Sequence, residues 1–215
     1  MTVKATAVLL GIFSIIACQF VTISATAGST IVVLGDSLTA GYGLPPGQGF
    51  AEKLQDALSA RGHDIRVIDA GVSGDTSTGG LARLDWSVPE DADAVIVELG
   101  ANDALRGLDP SITRKAISDI VKRLKARGQA VLLAGMKAPP NLGDEYAAEF
   151  DAIYPELAAA EEVLLYPFFL DGVAANPALN QADGIHPSAD GVARIVEKIL
   201  PSVEALIAQA GGKAD

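Results

Sequence analysis

The chain has 215 residues, 49% of them hydrophobic and 20% charged, which suits one well-filled domain and excludes a disordered chain. A formal net charge of −11 repels phosphate backbones and argues against nucleic-acid binding. The single cysteine, Cys18, lies close to the N-terminus, which leaves the rest of the chain without a disulfide or a cysteine metal site.

Residues 1–27 read as a secretory signal peptide. Lys4 is the sole early charge, Ala5 to Ile23 is nearly all apolar, and Ala25-Thr26-Ala27 offers the small residues a signal peptidase reads, so cleavage is expected after Ala27. Two other readings stay open. The apolar stretch approaches membrane-spanning length, as a retained anchor would. Ile15-Ile16-Ala17-Cys18 also resembles a lipoprotein signal with Cys18 as the lipidated residue, although Phe20-Val21-Thr22-Ile23 is very apolar for a lipoprotein linker.

Beyond Ala27, a domain over 28–215 alternates apolar runs with amphipathic stretches. Strands are expected at Thr30–Leu34, Ile65–Ile68, Ala94–Leu99, Ala130–Ala134 and Val163–Tyr166. Helices are expected from Phe50 to Arg61, along Ile112, Ala116, Ile117, Ile120, Val121 and Leu124, around Glu145–Ala160, and along Val192 to Leu206 with Ser188 as N-cap. Pro201 should kink or shorten the last of these. Solidly apolar strands between helices imply a mostly parallel five-stranded α/β sheet covered on both faces, with ligands at the carboxyl ends of the strands. The chemistry should therefore lie in residues 35–49, 71–80, 100–110, 135–145 and 167–187.

Every motif worth naming falls in one of these segments, and each alone has an ordinary structural reading. Ser37, in Gly35-Asp36-Ser37-Leu38, sits at a turn straight after a buried strand, where its hydroxyl can serve as a nucleophile or simply cap a helix. Gly71-Val72-Ser73-Gly74-Asp75-Thr76 fails as a Gly-x-Ser-x-Gly elbow because position 75 is Asp, but Gly74 lets its N–H approach a ligand closely. Asn102, in Gly100-Ala101-Asn102-Asp103, can donate to an oxyanion or close an Asx turn. In Asp183-Gly184-Ile185-His186-Pro187, a carboxylate within one turn of an imidazole fixes its tautomer and frees the other nitrogen as a base. His63, in the polar turn Arg61-Gly62-His63-Asp64, reads as structural. With no HExxH or CxxC pair present, no metal site is expected.

Together the four motifs resemble the blocks of the SGNH hydrolases (the GDSL family), in order and over about Thr30 to Ile207. Gly-Asp-Ser-Leu-Thr-Ala-Gly-Tyr-Gly-Leu at 35–44 and Ser-Gly-Asp-Thr-Ser-Thr-Gly-Gly at 73–80 look most like the compact exported arylesterase and thioesterase I/lysophospholipase L1 group. The resemblance implies a flavodoxin-like three-layer α/β/α sandwich, no cofactor, and a small-molecule ester or thioester substrate. It implies Ser37, Asp183 and His186 as catalytic residues, and Ser37, Gly74 and Asn102 as the oxyanion hole. Asp36, Phe168, Phe169 and Leu179 are candidate substrate contacts. Phe168, Phe169, Leu170, Val173 and Leu179 form an apolar wall beside the His186 loop or a satellite core beneath it, and the Gly- and Pro-rich loops 103–110 and 137–145 are candidates to border the acyl site. A carbohydrate acetylesterase on the same scaffold and a non-catalytic binding protein remain the rival readings.

Overall fold

The computed structural model describes Met1 and residues 29–212; the expected signal peptide and Cys18 fall outside the described residues. Five strands, β1 (Ser29–Gly35), β2 (Ile65–Gly71), β3 (Ala94–Glu98), β4 (Ala130–Ala134) and β5 (Leu164–Tyr166), form one sheet. Its order is β2-β1-β3-β4-β5 and every pairing is parallel. β3 and β4 are buried along their whole length, as strands covered on both faces must be.

From β1 the chain steps outward to β2, then returns past β1 to β3 and continues in the other direction. Right-handed crossovers therefore put α1 (Phe50–Ala60) on one face of the sheet and the helices between later strands on the other. α1 packs against α7 (Ala189–Gly211), and α2 (Ser77–Ser87), α4 (Pro110–Ala126) and α6 (Ile153–Glu161) cover the opposite face. The result is the three-layer sandwich in the flavodoxin-like order. Its switch point lies between β1 and β3, where the chain leaves neighbouring strands in opposite directions and opens a crevice.

Four elements differ from expectation. The helical stretch around 145–160 is two helices, α5 (Asp144–Asp151) and α6. The short α3 (Ala101–Leu105) and the whole of α2 form where no helix was expected. The opening Ser-Thr-Gly-Gly of α2 disfavours helix, but packing overrides propensity. Thr76 caps Gly79 N, the buried Asp103 accepts from Ser77 N and Ser77 Oγ, and a Cβ on Gly80 would collide with Leu99. Finally, Pro201 does not end α7, which runs on to Gly211 with Pro201 exposed, so the carbonyl it leaves unpaired can meet water. Ser188 caps α7 through Gly191 N, as its position suggests.

Candidate active site

Ser37 follows β1 at the switch point. Gly35 ends the strand where nothing larger fits: a Cβ there would lie 2.9 Å from Glu98 Oε2 and collide with the Thr39 side chain. The chain then coils once, with Ala40 N donating to Asp36 O (3.0 Å) and Tyr42 N to Ser37 O (3.2 Å). Arg83, itself buried, clamps the turn from beneath. Its guanidinium donates to Gly35 O (2.8 Å), Ala70 O (2.7 Å) and the Asp75 carboxylate (2.7 Å), tying the ends of β1 and β2 together.

His186 arrives from the far end of the chain. Its Nε2 stands 2.9 Å from Ser37 Oγ, and its Nδ1 2.7 Å from Asp183 Oδ2. The other Asp183 oxygen accepts from the N–H groups of Ile185 (2.9 Å) and His186 (3.0 Å), so the loop folds around this carboxylate. These donors, His186 N–H first, hold the Asp183 carboxyl down at about 2. The N–H groups of Ser37 and Gly74 donate to nothing among the described residues. Gly74 takes φ +80°, and its carbonyl is turned away to accept from Arg106 Nη2 at 2.7 Å. Asn102, on α3, gives one amide hydrogen to Asp36 Oδ2 (2.9 Å) and keeps the other free. Gly100 carries φ +116° at the entry to α3, where a Cβ would strike the Tyr154 hydroxyl.

A cleft of about 370 Å³ opens beside Ser37 and His186. Its wall is mostly apolar: Leu105, Met136, Pro139 and Pro140 from the loops after β3 and β4, and Phe168 and Leu170 from the loop after β5. Lys137 is the one lysine or arginine lining it among the described residues, with its Nζ 5.3 Å from the Phe168 ring centre.

Three expected substrate contacts are corrected. Asp36 is fully buried and does not reach the cleft, its two oxygens being taken by Leu38 N (2.9 Å) and Asn102. Burial, the largest influence, raises its carboxyl to about 6 against the lowering effect of those bonds. Phe169 is fully buried, packed edge-on against Phe50 at 5.0 Å, in the turn that follows β5. Leu179 packs on the core and leaves the cleft wall to Phe168 and Leu170. Val173 is likewise core. His63 lies away from the site, its Nε2 3.5 Å from Glu204 on α7.

Sequence reasoning missed two further neighbours. The Tyr42 ring lies 4.6 Å from the His186 ring. Gln181 Nε2 donates to Tyr42 O (2.7 Å) and to Pro187 O (3.0 Å), riveting the His186 loop to the Ser37 loop. Tyr42 falls within the 35–44 motif and was therefore discoverable; nothing in the sequence marks Gln181. No group of three His, Cys, Asp or Glu side chains among the described residues is placed to hold a metal ion.

A parallel α/β sheet with a serine–imidazole–carboxylate chain at its switch point defines a hydrolase-type scaffold, and the comparisons with known proteins agree. Residues 33–194 match the profile of the GDSL-like Lipase/Acylhydrolase family, and the chain belongs to that family. It is 42% identical over 182 residues to the esterase TesA of Pseudomonas aeruginosa, covering 84% of this chain and 90% of that one. It is 37% identical over 187 residues to thioesterase 1/protease 1/lysophospholipase L1 of Escherichia coli, covering 86% and 88%. The crystal structure of AlinE4, an SGNH-hydrolase family esterase, superposes with a TM-score of 0.70 at 46% identity, covering 83% of this chain and 96% of that one.

Proposed function

We propose that the chain is an exported serine esterase that hydrolyses carboxylic esters or thioesters through an acyl-Ser37 intermediate. The observation that carries this reading is the unbroken line from Ser37 Oγ to His186 Nε2 (2.9 Å) and from His186 Nδ1 to Asp183 (2.7 Å). His186 takes the Ser37 proton as Oγ bonds to the acyl carbon, then hands that proton to the departing alcohol or thiol. Water repeats the sequence on the acyl-enzyme and releases the acid. Asp183, ionised far below neutral pH, orients the ring and steadies the imidazolium. The N–H groups of Ser37 and Gly74 and the free Asn102 amide hydrogen take the developing oxyanion.

The apolar wall of the cleft favours an acyl chain or an aryl group over a sugar, and its size is that of a small-ligand pocket. The names of the relatives, an esterase and a thioesterase/lysophospholipase, lean the same way. Export rests on the leader: residues 1–27 serve as a signal peptide cut after Ala27, and the mass of the mature N-terminus separates this from lipidation at Cys18. Among the described residues no helix is long and apolar enough to cross a membrane.

The test is p-nitrophenyl ester hydrolysis by purified Ser37→Ala. Loss of roughly a million-fold in kcat is expected. Hydrolysis at the wild-type rate ends the assignment.

A further inference from the structure

Glu98 is a fully buried carboxyl near the site that the reaction above does not use. It ends β3 beneath the Ser37 turn, with no exposed surface. Its Oε2 lies 3.3 Å from Asp36 N, its Oε1 has no partner among the described residues, and its carboxyl stands against that of Asp36. Two carboxyl groups thus share one dry space. The charged groups that bear on the pair are Asp75 and His186, both acting on Asp36, and the buried Tyr154 of α6 adds no positive charge. The Arg83 guanidinium is spent on the Gly35 and Ala70 carbonyls and Asp75.

Two buried carboxylates without a cation cannot both be ionised. Their surroundings are unequal. Asp36 accepts from Leu38 N and from Asn102, which stabilises its anion, whereas Glu98 has one long backbone donor and an oxygen with nothing to accept from. A neutral carbonyl oxygen left alone costs far less than a desolvated carboxylate oxygen. We propose that Glu98 is held as a neutral carboxylic acid whose O–H donates to the Asp36 carboxylate, making Glu98 a positioning residue for the oxyanion donor Asn102. Burial, with the Asp36 charge adding to it, pushes the Glu98 carboxyl well above its ordinary range, in keeping with that assignment.

The chain of consequence is short. Asp36, fixed by the Glu98 acid, Leu38 N and Asn102, has one geometry, and Asn102 can then aim its second amide hydrogen at the oxyanion. A substitution that removes the Glu98 donor lets Asp36 rotate or take up a proton itself. Asn102 then loses its acceptor, and the damage falls on the transition state rather than on substrate binding.

The experiment has two arms. The infrared difference spectrum of wild type minus Glu98→Gln at pH 8 is expected to contain the carbonyl stretch of a protonated acid; a spectrum with carboxylate bands alone overturns the proposal. In steady-state kinetics, Glu98→Leu is expected to lower kcat about tenfold with KM unchanged, and Glu98→Gln, whose amide restores a donor to Asp36, to recover most of that loss. A folded Glu98→Leu with wild-type kcat overturns it, as does Glu98→Gln failing as fully as Glu98→Leu. If Glu98→Leu does not fold, the spectrum decides. The kinetic arm rests on the oxyanion role of Asn102, while the spectrum does not. Asn102→Ala at full activity would therefore sink the oxyanion reading and leave the protonation intact.

Discussion

Two aspartates flank the reactive pair, and their surroundings push them in opposite directions. Asp36, one residue before Ser37, is fully buried at the end of the central strand, and burial lifts its carboxyl to about 6. Asp183, in the loop after β5, is over a third exposed and is drawn down to about 2 by backbone and ring donors. The nucleophile is thus positioned by the protein core, through Gly35, Arg83 and the Asp36–Asn102 bond. The base is positioned by a surface loop that folds around a single carboxylate and is pinned across by Gln181. A buried frame gives rigidity at the cost of a strained charge, whereas an exposed frame keeps its charge at no such cost and relies on local hydrogen bonds.

The contrast can be broken at either end. The largest effect is expected at the exposed aspartate. Asp183→Asn keeps the shape of the loop but misassigns the imidazole tautomer, and kcat should fall about 10⁴-fold. On the buried side, Asn102→Ala removes one oxyanion donor and should lower kcat by about 100-fold, near 3 kcal/mol in transition-state energy, as measured on the same chromogenic ester.

The pH dependences should also separate the two. The Asp36 carboxyl is raised, so it takes up a proton as pH falls through about 6; the Asn102 bond then loses its anionic acceptor, and kcat/KM should decline there in a pH–rate profile. Its contribution to stability runs the other way: present at low pH and lost as pH rises through about 6, because the ionised form is the one burial penalises. Asp183 is lowered, so its contribution is present above the ordinary carboxylate value and is lost as pH falls towards about 2. The stability of wild type and Asp183→Asn, followed by circular dichroism, should therefore differ above the ordinary carboxylate value and converge as pH falls towards about 2.

The same division explains what the sequence made legible. Strand runs such as Val95–Val97 and Val131–Leu133 are apolar throughout because both faces are covered, so the sheet and its carboxyl-end loops were readable. Asp183 and His186 lie within one turn of each other, so their pairing was local information. Residues whose role depends on distant partners were not readable. Asp36 looks like a ligand contact until Asn102, far along the chain, is seen to occupy it. Phe168 and Phe169 are identical in type, and only the backbone direction separates cleft wall from core. α2 was hidden by its glycines, which serve close approaches to Leu99 and Asp75 rather than a turn.

The central claim is that Ser37 carries the acyl group. It is tested most directly by treating the enzyme with a fluorophosphonate ester, digesting it and mapping the adduct by mass spectrometry, with His186→Ala as the control. The account predicts one adduct, on the peptide containing Ser37, formed rapidly in wild type and at least about a thousandfold more slowly without His186. An adduct on any other residue, or labelling of Ser37 at the same rate in both proteins, would contradict it.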